Sequence, residues 1–251
     1  MTKDQFFLPR LSGVDMNRSV FLAVPHYDAL IPQALPGLML PSESARLSIN
    51  LEGGSLLAMV FNRLWCAALN ARRTKELTHF AMHHADIQAP PGWLDVLLGE
   101  LDRTGADVMA AIIPIKDGRG LTTTGVQDPV SSRIRRFTVR EVLNFPETFD
   151  VAATGYHDEW LMINTGLWVC DFTRPWIEEA CFNIRDAIHK GDDGIFRARA
   201  LSEDWNFSGW CAQRGLNVFA TRKVPVVHHG RAAFKSDEPW GDWSTDLGDS
   251  T

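Results

Sequence analysis

Three strand-length apolar runs constrain this chain more than any other feature: Val20-Phe21-Leu22-Ala23-Val24, Thr78 to Ile87, and Asp107 to Ile115. Such runs fit strands buried on both faces rather than strands with one wet side. Between them the spacing becomes helical. Apolar residues fall at 56, 57, 60, 61, 64, 65 and 68, with Ser55 as a candidate N-cap and Arg72-Arg73 at the far end. Trp93 to Leu101 reads as a second helix after the stop Ala89-Pro90-Pro91-Gly92. Strand, helix, strand, helix, strand predicts an α/β fold with a Rossmann-type, mostly parallel sheet flanked by helices on both faces. Ligands then belong at the carboxyl ends of the strands, where Asp28 and Asp86 fall.

Length and composition narrow the class. A chain of 251 residues suits one domain, here 1–234, followed by an acidic tail over 235–251 that carries Trp240 and Trp243 and either closes over substrates as a lid or is simply disordered. Hydrophobic content of 45% with 22% charged residues is that of a soluble globular protein, and a net charge of −6 opposes a broad nucleic-acid face. Cys66, Cys170, Cys181 and Cys211 form no CxxC and no zinc spacing, which fits free thiols in a reducing compartment. The start, MTKDQFFLPRLSG, has no leader pattern, and the stretch Leu56 to Leu69 is broken by Asn62-Arg63. The expectation is a cytoplasmic protein without a transmembrane segment.

The remaining elements are less regular. Ser48 to Leu51 suits a short strand. From Lys116 to Glu159 the periodicity fades, and Gly118, Gly120 and Gly125 suggest a mobile or ligand-shaped loop. Arg133, Arg135, Arg136 and Arg140 cluster just after it. Met162 to Cys170 reads as a strand in which Gly166 allows close backbone approach. Thr173-Arg174-Pro175 predicts a helix to about Lys190, stopped by Gly191-Asp192-Asp193-Gly194. Glu203-Asp204 opens another helix, Asn217 to Thr221 a strand, and Val226-Val227 leads into His228-His229.

These residue types in this order suit one chemistry. A departing nucleoside diphosphate carries negative charge that a divalent cation offsets, and carboxylate with imidazole suits Mn2+, carboxylate with water Mg2+. Asp86 with His228 or His229 could hold such a cation. An attacking hydroxyl must lose its proton, and Asp204, with Glu203 second, could take it. In isolation each feature has a structural alternative: a turn cap, a helix-dipole partner, a solvated loop.

Taken together, the motifs resemble family 2-like GT-A glycosyltransferases over about residues 18–232. His84-Ala85-Asp86 followed by Pro90-Pro91-Gly92-Trp93 is similar to their acidic triplet, although His84 stands at the first acidic position. Glu203-Asp204, Arg214-Gly215-Leu216-Asn217-Val218 and Val227-His228-His229-Gly230 are similar to their downstream elements. The resemblance implies a hexosyltransferase-type enzyme with a nucleotide-sugar half at about 18–115 and an acceptor half at about 160–232. The donor would be a nucleotide-diphosphate sugar framed by Pro25, Tyr27, Asp28, Asn62, Arg63, His84 and Asp86. The acceptor would lie on Asn164, Gly166, Trp168 and Trp205, and Asp204 as base implies inversion. The acceptor itself stays open, a modified nucleic-acid base included. Two alternatives use the same features: a non-catalytic nucleotide-sugar or carbohydrate-binding protein, and a nucleotidyltransferase. The second would need a Gly-rich basic loop after the first strand, which Val24-Pro25-His26-Tyr27-Asp28 is not.

Overall fold

The computed structural model describes residues 18–27, 29–131, 133–191 and 193–246. The N-terminal stretch read for a leader, Asp28 and the last part of the tail lie outside the described residues.

The first half is β1 (Ser19–His26), α1 (Leu35–Met39), β2 (Arg46–Gly53), α2 (Leu57–Arg72), β3 (His79–His83), β4 (Ile87–Gln88), α3 (Trp93–Thr104) and β5 (Val108–Ala111). Then come β6 (Leu121–Gln127), β7 (Ile134–Thr138), α4 (Val139–Val142), β8 (Thr148–Phe149), β9 (Trp160–Met162) and β10 (Leu167–Asp171). A hairpin of β11 (Arg185–Lys190) and β12 (Phe196–Leu201) precedes α5 (Glu203–Gln213), β13 (Val218–Thr221), β14 (Val227–His229) and β15 (Ala233–Lys235).

Among the described residues, seven strands form the central sheet in the order β2-β1-β3-β10-β5-β13-β8. Five run one way, and β10 and β8 run against them. Period-two alternation divides the core between the two faces. Phe21, Phe80, Met82, Val108, Ala110 and Trp168 turn to the face covered by α2 and α5; Val20, Leu22, Ala81, Met109, Ala111 and Val169 turn to the face covered by α1 and α3. The mostly parallel, doubly covered α/β sheet expected from the apolar runs is the one observed.

Three expectations need correction. The helix to Lys190 is a single 3-10 turn, Pro175–Glu178, followed by strand β11. Ile184 and Ile188 imitate a helical i, i+4 pair, yet the chain reverses between β11 and β12, with Gly194 at φ 78° and the Gly191 N–H on the Ile195 carbonyl at 2.9 Å. The faded region after Lys116 contains β6 and β7, which join β9 in a separate three-stranded sheet. Ser55 does not cap α2, which starts at Leu57 without a side-chain cap.

The described part of the tail packs back on the chain as a strap. Trp243 N–H donates to the Arg119 carbonyl at 3.3 Å, and the Asp246 carboxylate accepts the Arg136 N–H at 2.8 Å. Gly120 and Gly241, both at φ 80°, press backbone to backbone: a Cβ on Gly120 would fall 2.1 Å from the Trp240 carbonyl oxygen. The strap also occupies part of the arginine cluster. Arg135 pairs with Glu141, and Arg136 approaches Asp246 at 3.9 Å while covering the Trp205 ring at 4.4 Å.

Candidate active site

The carboxyl ends of β1, β3, β5 and β13 and the start of antiparallel β10 meet at one edge of the sheet, and the register pair Leu167↔His83 fixes that meeting. Ala85 N–H donates to the Pro25 carbonyl at 3.3 Å and His84 N–H to the Gly166 carbonyl at 2.8 Å. Asp86 is therefore held beside the start of β10 by backbone bonds.

Two groups converge on Asp86. Lys116 Nζ lies 2.5 Å from its Oδ2, and His228 Nε2 lies 3.4 Å from the same oxygen. Burial alone would raise this carboxyl. The hydrogen bond and charge of His228, with the hydrogen bond from Lys116, outweigh it and hold Asp86 well below the usual carboxylate range. His228 reaches it because β14 pairs with β4 at His228↔Ile87. Its neighbour His229 faces the other way, as strand geometry requires, and its Nε2 meets Gln88 Oε1 at 3.0 Å.

The tautomer of His228 decides what this cluster can hold. Its Nδ1 is 2.8 Å from the Pro114 carbonyl, which can only accept, so Nδ1 carries the proton. With Nε2 also protonated, the ring donates to Asp86 and lowers it as described; with Nε2 bare, its lone pair faces the carboxylate oxygen. Two acceptors facing each other call for a proton or a cation between them. A carbonyl fixing the outer nitrogen of a ligating histidine is a common support for metal binding. Among the described residues no group of three His, Cys, Asp or Glu side chains stands ready for a metal. The donor set that fits a divalent cation is thus Asp86 and His228, with phosphate and water completing the shell. Lys116 already brings one positive charge to the same oxygen.

The second carboxylate cluster sits at the start of α5. Asp204 Oδ1 accepts the Thr165 N–H at 3.1 Å and the Thr165 hydroxyl, and Asn164 Nδ2 approaches Oδ2 at 3.4 Å. Burial and the adjacent Glu203 charge push Asp204 up to about 7, against the lowering effect of the Thr165 bonds. Burial also raises Glu203. Both carboxylates lie in the first helical turn, where the helix dipole tolerates them. Asp204 is therefore a largely buried base that changes protonation near neutral pH, the property general-base work needs.

Gly166 links the two clusters. Its N–H donates to Asn164 Oδ1, and its carbonyl receives the His84 N–H. A Cβ there would fall 2.6 Å from Asn164 Oδ1 and 2.7 Å from Ile87 Cδ1. Gly166→Ala should destabilise by about 1–3 kcal/mol through overpacking. A thermal melt unchanged from wild type would show that the junction yields.

Several expected contacts have structural roles instead. Trp168 is fully buried between Trp65, Phe80 and Phe207, so it cannot lie against an acceptor. Asn62 bonds both backbone groups of Phe182, accepting at 2.9 Å and donating at 2.6 Å. Arg63 pairs with Glu52 on the surface at 3.2 Å. His84 packs on Phe61 with centroids 5.1 Å apart, and burial lowers it to about 4, so it is a neutral imidazole. Its Nε2 is buried without a hydrogen-bond partner among the described residues. Pro25 is buried at the end of β1, Tyr27 is exposed beyond it, and Trp205 donates its Nε1–H to the Thr123 carbonyl at 3.3 Å.

Lys116, Thr165 and the Pro114 carbonyl escaped the sequence reading. Lys116 alone left a signal, since it directly follows the third apolar run.

No protein-family model and no curated protein matches the sequence. Among solved structures, A197 from STIV is similar at 12% identity, over 90% of this chain and 95% of that chain, with a TM-score of 0.51. A protein from Entamoeba histolytica named "putative UDP-N-acetylglucosamine pyrophosphorylase" is similar at 9% identity, over 76% and 71%, with a TM-score of 0.36. No helix among the described residues is long and apolar enough to cross a membrane. At such identities the likeness is one of fold, and the fold shared with A197 is what the comparisons establish.

Proposed function

We propose that this protein transfers a sugar from a nucleotide-diphosphate donor to an acceptor hydroxyl with inversion, and that Asp204 is the general base. One observation carries the reading. A carboxyl poised near pH 7 shares a sheet edge, through Thr165-Gly166-His84, with a cluster suited to a diphosphate: Asp86, His228 and Lys116.

The residues act as follows. Lys116 and the cation site of Asp86 and His228 receive the diphosphate charge; a bound divalent cation would stabilise the leaving group. Thr165 and Asn164 aim the Asp204 carboxylate. The acceptor oxygen attacks the anomeric carbon as its proton passes to Asp204. The bond from that carbon to the β-phosphate oxygen breaks, and the nucleoside diphosphate leaves with the electron pair.

The test is thermal unfolding against nucleoside diphosphates and nucleotide sugars, with and without Mn2+, in wild type and Asp86→Ala. A ligand at 100 times its Kd stabilises by about 2.7 kcal/mol. The expected result is a base-selective shift, strengthened by Mn2+ and lost in Asp86→Ala. A folded sample that shifts with none of them would end the reading.

A further inference from the structure

The proposed chemistry leaves unused a cleft of about 590 Å³ between α5 and the β11–β12 hairpin. One side of α5 lines it with Trp205, Asn206 and Trp210, at spacings that share a helical face. The hairpin contributes one ladder face, the register pairs Arg185↔Leu201 and Ala187↔Arg199. Trp160 of β9 forms the third wall, over Gly209, where a Cβ would contact its ring at 3.9 Å.

The three indoles are not equivalent. Arg136 covers Trp205 at 4.4 Å, and its Nε1–H is bonded to Thr123. Trp210 packs on Phe207, centroids 6.1 Å apart, and under Arg214 at 4.4 Å. Both are fixed walls. Trp160 has no aromatic or cation partner among the described residues, so its ring is the surface on which a ligand ring can lie. Arg185 is exposed and forms no ion pair among the described residues, so its guanidinium is available to an anion. Asn206 uses its amide nitrogen on the carbonyls of Asn183 and Leu201, which leaves Oδ1 to accept from a hydroxyl.

An indole plane, a guanidinium and an amide acceptor match the apolar C–H face, the anionic group and the hydroxyls of a charged sugar. The cleft volume falls within the range of small-ligand pockets. A nucleic-acid strand would need a continuous basic track with successive stacking rings, and this chain carries a net charge of −6. Trp205, in the cleft wall, directly follows Asp204 on α5, so the cleft and the candidate base share the first turn of one helix. We propose that the cleft is the acceptor site and that the acceptor is an anionic saccharide, a sugar ring bearing phosphate or carboxylate. The acceptor role rests on the glycosyltransferase reading; binding in the cleft does not.

The test titrates the full chain, without nucleotide, with glucose 6-phosphate, glucose 1-phosphate, glucuronic acid, glucose and inorganic phosphate, followed by tryptophan fluorescence. At least one anionic sugar should bind saturably, about tenfold or more tighter than glucose or phosphate. The phosphate and carboxylate arms identify the charged group. Arg185→Ala, on the exposed hairpin, should remove that margin and leave glucose unchanged. Trp160→Ala should weaken the anionic sugar and glucose alike. Unchanged affinity in Arg185→Ala, loss in Asp86→Ala instead, or tighter binding of a thymidine decamer than of every sugar would each overturn the proposal. Cleft binding without a nucleotide shift would end the transferase reading alone; a nucleotide shift without cleft binding would end this one alone.

Discussion

Replacing Asp204 by asparagine is expected to cut transfer by about 10²–10⁴-fold, the usual contribution of a positioned base. Nucleoside diphosphate release from the donor, with water or sugar as acceptor, is the measurement. The amide keeps the carboxylate's shape and can still accept the Thr165 N–H and hydroxyl, so the α5–β10 junction survives. It cannot accept the proton. Wild-type activity should rise with pH through about 7, because burial and the Glu203 charge keep Asp204 protonated below that value. Stability runs in the opposite direction. An unfolded aspartic acid titrates near 3.8 and this folded one near 7, so the folded state binds the proton more tightly. That contribution is fully present below about pH 4 and is lost as pH rises to about 7. Asparagine avoids the loss, so at pH 8 the variant should melt higher than wild type while turning over far more slowly. A variant that melts lower at pH 8, or keeps activity within about tenfold, would remove Asp204 from the base position.

Trp168→Ala should give the largest loss of stability, about 3–5 kcal/mol as for other buried tryptophans. The indole has no exposed surface and touches a connected set of rings. Trp65 is stacked at 6.1 Å, with Phe207 at 5.2 Å, Phe80 at 5.4 Å and Phe182 at 6.2 Å. Truncation would open a cavity where α2, α5 and the sheet converge. In a domain of this size the melting temperature should fall by roughly 6–20 °C. Trp205→Ala is the control: its ring lies at the cleft wall, so the melt should move little. Equal shifts in the two variants would contradict the burial that separates them.

Trp168 and Trp205 also show what the sequence could and could not reveal. The apolar runs announced β1, β3 and β5, since a strand buried on both faces has no polar positions to confuse with a loop. The same property hid which residues of β10 are core. With both faces covered, nothing in Gly166-Leu167-Trp168 distinguishes a residue at the sheet edge from one under α2. Asp86, Asp204 and His228 were legible because charged groups at strand and helix ends have few purely apolar explanations. Lys116 was not, because its meeting with Asp86 across 30 positions depends on the loop after β5. The hairpin was lost to a coincidence of spacing, and the basic face of the cleft was lost with it.

The position of β10 dictates the order in which the sheet can assemble. β3 and β5 belong to the first half of the chain, yet they never pair with each other; β10 separates them. A nascent chain of about 160 residues emerging from the ribosome would hold β2-β1-β3 and β5 as pieces with bare inner edges, the kind that recruit foreign strands. The sheet closes only after the turn at Asn164 and Thr165 delivers its central strand, and these are the residues that grip Asp204. The event that completes the hydrophobic core is the same one that brings the two carboxylate clusters to a common edge.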